Sequence, residues 1–372
     1  MHISFRGGLH IIGCVAASLF LVSCENTNDQ DPDPIEAAPL SQATSVEPSD
    51  SDATNDLESE IQESSDASET EGEDAQIANG IESQALRFGA NIEKVPEKKE
   101  WKLSKNERVL TLTEGSRVAY LDGVKVFLDI PFEEIEGAFA LSSSDERILL
   151  EAVFGGHNRI DTEVSTVVID PGHGGSQDGT KNETLGIYEK EMTLDVSLRL
   201  KTHLEEAGFK VILTRYEDRH VSLDDRPAMA NGAKADLFVS VHFNAAINKK
   251  ASGLETYMLT PAAMPSSSDT EVDGDGKEYA GNQFDLENFD LSFRIQDSLL
   301  SRLGREDRGV RKARFRVLKP LNCPGVLAEC GFISNEQEGL LVSTAGYRER
   351  VAQSLADAII AYSNARKARS DS

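Results

Sequence analysis

The chain has 372 residues, with 38 Lys and Arg against 64 Asp and Glu and a formal net charge of −26. That balance excludes the clustered basic field that nucleic acids require, so no nucleic-acid partner is expected. The four cysteines, Cys14, Cys24, Cys323 and Cys330, contain no CxxC pair that would hold a zinc. Residues 323 and 330 flank an extended run that would separate them by up to ~23 Å, against ~5.5 Å between the Cα atoms of a disulfide, and no bridge is expected.

Residues 1–23 read as an export signal: Arg6, then the apolar run 11–22, which is too short for a stable membrane-spanning helix. The run closes on Leu21-Val22-Ser23-Cys24, which resembles the lipobox of bacterial lipoproteins. The resemblance implies lipidation of Cys24 and a periplasmic, membrane-anchored protein, with Glu25 favouring the outer membrane. An ordinary secretory signal with an incidental Cys24 is the alternative. Residues 25–86 hold eighteen Asp or Glu and no Lys or Arg. Such a composition buries too little apolar surface to offset ordering entropy, so residues 24–95 are expected to form a disordered acidic tether. At ~5–6 Å × √n, about 60 flexible residues span about 45 Å on average.

Residues 96–160 are expected to form a small, separate β-rich module. Short apolar or alternating runs at 108–112, 117–121 and 124–130 read as strands, and Asp122-Gly123 is a strong hairpin signal. The module resembles the copper amine oxidase N-terminal-like units that precede some wall hydrolases. It either binds the wall or packs on the catalytic domain. From residue 163 to 366 strands alternate with helices. Strands are expected at 166–170, 209–214, 236–242, 253–259 and 325–329. Helices are expected at 189–207, from Ser222, at 291–303 and at 345–362, with 261–289 a polar inserted loop. This alternation predicts an α/β fold, a mostly parallel sheet flanked by helices on both faces. Sites in such sheets lie at the carboxyl ends of strands.

The chemistry-bearing residues obey that rule. The apolar strand 166–170 breaks into Pro171-Gly172-His173-Gly174-Gly175, which presents an imidazole with no bulk around it. Glu189 opens the first helix and His242 ends another apolar strand. Two His and one carboxylate with an open position form a usual hydrolytic zinc set. Glu329 ends the strand 325–328 and suits a general base. Each has a structural alternative: a hydrogen-bonded surface histidine, a carboxylate complementing a helix dipole, an ion-pair partner. His157, His203 and His220 end no apolar strand and serve as controls.

The stretches IDPGHGG, YEKEMTL, SVHFNA, SGLETYML, RGVRKARFRVLK and PGVLAECGFISN, in that order across residues 166–335, together resemble the zinc-dependent N-acetylmuramoyl-L-alanine amidases of the amidase-3 family. The resemblance covers about residues 164–365. It implies Zn²⁺ held by His173, Glu189 and His242, and Glu329 as catalytic base. Glu191, two residues from Glu189, is the competing ligand, and the Glu189-Lys190 pair favours Glu189. Asn244 is implied as a substrate contact, with a turn-forming role as its alternative, and Arg226 and Asn231 as scaffolding. The implied reaction is attack of a zinc-activated water on the amide joining N-acetylmuramic acid to L-alanine, in cell-wall remodelling or daughter-cell separation. Peptidoglycan is then the substrate, a protein activator a further partner, and a monomer the expected state. In place of the inhibitory helix of some members, the polar segment 261–289, with Glu271, Asp273 and Asp275, is expected to be a flexible rim or lid. The RGVRKARFRVLK run is expected to be a strand with one solvated face. The alternatives are a non-catalytic wall-binding or activator lipoprotein on the same fold, and a zinc peptidase of the stem peptide.

Overall fold

The computed structural model describes residues 80–155, 162–272 and 276–370. The expected export signal, Cys24, most of the expected tether, His157, Asp273 and Asp275 lie outside them. Composition assigns residues 80–95 to the tether, but Ile81–Arg87 forms helix α1 and Asn91–Val95 strand β1. Ile81 and Ala85 are fully buried. The Gln84 amide donates to the Leu141 carbonyl and accepts from the Leu141 N–H, both at 3.0 Å. Burial of side chains such as Ile81, at about 1.5–3 kcal/mol each, outweighs the polar character of the surrounding sequence.

An antiparallel meander comes next: β2 (Glu100–Lys105), β3 (Arg108–Thr113), β4 (Val118–Leu121) and β5 (Val124–Phe127). The β4–β5 turn is Asp122-Gly123, both at positive φ (50° and 86°), as the two-residue hairpin signal predicts. A short hairpin, β6 (Glu133–Ile135) and β7 (Ala138–Ala140), precedes a π-helical run at Glu146–Gly155.

The alternating half supplies β8 (Thr166–Pro171), the small hairpin β9 (Lys181–Asn182) and β10 (Ile187–Tyr188), and α2 (Glu189–Glu206). Next come β11 (Lys210–Leu213), α3 (Asp225–Gly232), β12 (Leu237–Asn244), β13 (Leu254–Leu259) and α4 (Asp285–Leu303). The chain closes with β14 (Asp307–Ala313), β15 (Gly325–Phe332), α5 (Glu336–Ser343) and α6 (Ala345–Ser370). Among the described residues no helix is long and apolar enough to cross a membrane.

The strands form one eleven-stranded sheet in the order β1-β2-β3-β4-β5-β14-β13-β15-β12-β8-β11. From β14 to β11 every pairing is parallel except β13 with β15. Successive residues of each strand feed opposite faces. Val167 and Ile169 pack with α2, α4 and α6, while Val168 packs with α3 and residues 317–323. Both faces are covered, as the apolar strands require.

The expected separate module is instead continuous with this sheet. Strand β5 pairs with β14 at Val126↔Val310, and the core of the meander includes Met258, Phe289, Phe293 and Val310 from the other half. Helix α4 therefore begins at Asp285, within the stretch expected as loop, because its first turns cover the meander. Lys312 of β14, expected on a solvated face, is 2% exposed and lies 2.7 Å from Asp129 and 2.8 Å from Asp145. Burial and the Asp129 charge push the Asp145 carboxyl up to about 6 despite Lys312. Cys323 and Cys330 are buried free thiols.

Candidate metal centre and catalytic carboxylate

His173, Glu189 and His242 come together at the carboxyl ends of β8 and β12 and the start of α2. One potential ligand atom from each lies within 4.8 Å of the others. The Glu189 carboxylate is fully buried. Its Oε1 accepts from His242 Nδ1 at 2.9 Å and from the Phe243 N–H at 3.1 Å, and lies 3.2 Å from His173 Nε2. Its Oε2 accepts from the Thr180 N–H at 2.8 Å. Burial alone would raise this carboxyl, but the two imidazoles outweigh it and hold it well below the usual carboxylate range. Burial lowers the His242 imidazole against the pull of Glu189. Glu191 is exposed.

The loop that carries His173 is built at close quarters. His173 itself adopts φ 61°, an uncommon conformation for a residue with a side chain. A Cβ on Gly172 would stand 2.3 Å from the His242 ring, and one on Gly179 would stand 2.6 Å from Glu189 Oε2. These two glycines let the ligand-bearing segments approach each other.

Glu329 lies beside this cluster. In the sheet its Cα partners are His242 on β12 and Glu255 on β13, so the three share a cross-strand row on one face. Glu329 is buried and its Oε2 has no hydrogen-bond partner, as has His173 Nε2. Burial, then the charges of Glu189 and Glu255, raise its carboxyl well above the usual range. An unsatisfied carboxylate oxygen beside the His-Glu-His cluster and an unsatisfied ring nitrogen within it are what a bound cation and a reacting water would satisfy. The donor set, two imidazoles and a carboxylate, suits Zn²⁺.

Asn244, expected at the substrate, is 3% exposed. Its Nδ2 donates to Glu255 at 3.3 Å and its Oδ1 accepts from the Ala245 N–H at 2.7 Å, at the last residue of β12. Of the control histidines, His203 pairs with Glu349 at 2.8 Å, and His220 is exposed although its backbone packs against Gly175 of the His173 loop.

Two residues of the site escaped sequence reasoning. Glu255 accepts from Tyr257 Oη at 2.5 Å and pairs with Arg308; burial and Glu255 together push the Tyr257 phenol up. Its signal was a lone carboxylate inside the apolar strand GLETYML. Arg215 donates to the carbonyls of the His173 loop, and its signal was a cation two residues after the end of strand β11. Arg226, expected as scaffolding, donates to Asp170 at 2.6 Å and to the His173 carbonyl at 2.9 Å. The described residues that follow β13, at the start of the segment 261–289, lead away from the site. Strand β13 runs antiparallel to β15, with Glu255↔Glu329 in register. Its end at Leu259 is thus four residues, ~13 Å, further from the site. Residues 264 and 266 beyond it are tied to Arg314 and Arg117. Among the described residues, then, the start of this segment gives no support to a lid; residues 273–275 lie outside them.

Two histidines and a carboxylate gathered at strand ends of a mostly parallel sheet, with a second glutamate alongside, form a cluster that could hold a metal ion. The chain belongs to the amidase-3 family, N-acetylmuramoyl-L-alanine amidase, which matches residues 167–361. The N-acetylmuramoyl-L-alanine amidase LytC of Bacillus subtilis is 34% identical over 197 residues, 53% of this chain and 35% of LytC. The N-acetylmuramoyl-L-alanine amidase AmiC of Escherichia coli O6:H1 is 34% identical over 221 residues, 53% of this chain and 52% of AmiC. The chain thus spans about half or less of the length of these relatives. The crystal structure of N-acetylmuramoyl-L-alanine amidase from Clostridium difficile 630 is 30% identical, covering 54% of this chain and 97% of that one, with a TM-score of 0.45.

Proposed function

We propose that the protein is a zinc-dependent N-acetylmuramoyl-L-alanine amidase that releases stem peptides from peptidoglycan. The observation that carries this reading is the row in which unpartnered Glu329 adjoins the His173–Glu189–His242 cluster, inside the span that matches the family. Zn²⁺ held by those three residues would acidify water toward a pKa of about 7 and polarise the amide carbonyl. Glu329, buried beside the cluster with its Oε2 unpartnered, is suited to take a proton from the attacking water and to hand it to the alanine nitrogen as the C–N bond breaks. Glu189 stays ionised between the two imidazoles and fixes their orientation.

The amino-terminal signal and Cys24 support export and a lipid anchor, placing the activity in the periplasm, on the outer membrane, in wall remodelling or daughter-cell separation. A protein activator and a monomeric enzyme belong to the same reading. The test is mass spectrometry of the products released from purified peptidoglycan by the full chain, with chelator-treated and Glu329→Gln samples in parallel. The full chain is needed because the meander and the α/β half share a core. Intact stem peptides with a free L-alanine amine, absent from both controls, support the proposal. Shortened peptides point to a peptidase, and binding without product points to a non-catalytic wall-binding protein.

A further inference from the structure

Beneath the site lies a guanidinium that touches none of the three ligand side chains, yet grips the main chain beside two of them. Arg215 is fully buried. Its Nη2 donates to the Gly172 carbonyl and to the Lys190 carbonyl, each at 2.7 Å, and its Nε donates to the Pro171 carbonyl at 3.0 Å. Gly172 adjoins His173 on the loop after β8, and Lys190 adjoins Glu189 at the start of α2. Thr193 Oγ1 completes the junction, donating to the Gly172 carbonyl at 2.8 Å and accepting from Arg215 Nη2 at 3.0 Å. The donors of Arg215 go to carbonyls and to Thr193 rather than to a carboxylate. A buried cation arranged so is costly to keep for stability alone. Nη2 alone meets both the Gly172 and the Lys190 carbonyls, while Nε in the same rigid plane is anchored on the Pro171 carbonyl; a lysine ammonium on a flexible stem lacks that second anchor to fix where its nitrogen sits.

We propose that Arg215 is a positioning residue for the metal centre: by bridging the Gly172 and Lys190 carbonyls it sets the separation of His173 and Glu189. Two guanidiniums hold the strained His173 loop from below, Arg215 through the Pro171 and Gly172 carbonyls and Arg226 through the Pro171 and His173 carbonyls at 2.9 Å each. Arg215 also reaches the first turn of the helix that carries Glu189. This inference rests on the metal-centre reading above.

The test is titration of the metal-free full chain with zinc chloride in competition with a chromogenic chelator, for wild type, Arg215→Lys and Thr193→Val. The visible absorption of the cobalt-substituted proteins is recorded in parallel. Loss of such an outer partner typically weakens a metal site about 10–100-fold. Arg215→Lys is expected to fall in that range, with Thr193→Val weakened less, and both with an altered cobalt spectrum. A purely structural role would lower the urea midpoint of the metal-free protein and leave zinc affinity and the cobalt spectrum unchanged in the folded variants; that result overturns the proposal. If Arg215→Lys does not fold, Thr193→Val decides in the same terms. Wild type that binds no stoichiometric zinc overturns the metal centre itself, whereas wild-type binding with unchanged variants overturns the positioning role alone.

Discussion

Two clusters of buried charge lie on the same sheet, and they are closed in different ways. At the joint between the meander and the α/β half, Lys312 brings its own cation to Asp129 and Asp145, with all three side chains at or below 1% exposure. Around His173 the carboxylates of Glu189 and Glu329 are also buried, but among the described residues no Lys or Arg pairs with them, and His173 Nε2 and Glu329 Oε2 stay without hydrogen-bond partners. The first cluster is a completed joint. The second has the form of a joint whose cation comes from outside the chain.

The strongest way to break this comparison is at Glu329. Glu329→Gln should lower the rate of stem-peptide release by about 10²–10⁴-fold, the usual weight of a general acid–base group, while zinc titration stays near wild type. Chromatography of the soluble products measures it, and a rate within a few-fold of wild type would make the unpartnered carboxylate a bystander. At the other cluster Lys312→Met should cost about 3–5 kcal/mol, because it strands two carboxylates away from water. Urea denaturation reads this, and adding Asp129→Asn and Asp145→Asn should restore much of the loss.

A smaller effect tests metal binding directly. Zinc at 100 times its Kd should raise the unfolding free energy by about 2.7 kcal/mol in wild type and leave His242→Ala unmoved, as followed by thermal or urea melts. The smallest effect concerns pH. In the metal-free fold Glu329 has its carboxyl raised above the unfolded value of 4.5. Its contribution to stability is therefore full below 4.5 and is lost as pH rises through the folded pKa. Relative to Glu329→Gln, metal-free wild type should lose up to ~1.4 kcal/mol per pH unit over that range. Equal slopes in urea melts from pH 4 to 8 would show that Glu329 is not held in so poor a solvent.

How much was legible depends on where each signal resides. Strands β8, β12 and β15 are apolar runs buried on both faces, and His173, His242 and Glu329 stand out as polar residues at or beyond their carboxyl halves, so they could be read directly; the expectation that Glu329 ends its strand fails, because β15 runs on through Cys330 to Phe332. Glu189 was recoverable through its place at a helix start. The joint was not legible, because Lys312 meets Asp129 and Asp145 across 183 and 167 residues of sequence, and a basic alternating strand looks the same whether its partner is water or a distant aspartate. Helix α1 and strand β1 were hidden by acidic surroundings; two buried side chains, Ile81 and Ala85, are too few to alter a composition. Glu255 and Arg215 announced themselves only as charges beside apolar strands, and what such a charge holds is a matter of tertiary neighbours.

The cross-strand row of His242, Glu329 and Glu255 gives the site something like a reading frame. Deleting one residue from the first half of β15 would bring Cys330 to the place of Glu329, and inserting one would bring Ala328 there, with every hydrogen bond of the ladder still available. Connections that carry no site residue can lengthen or shorten without touching the cluster; the one after β8, which holds His173 and leads to Glu189, cannot. Nor can the strands, so the tolerance of this protein to insertion should change abruptly within a single residue of each boundary of β12 and β15.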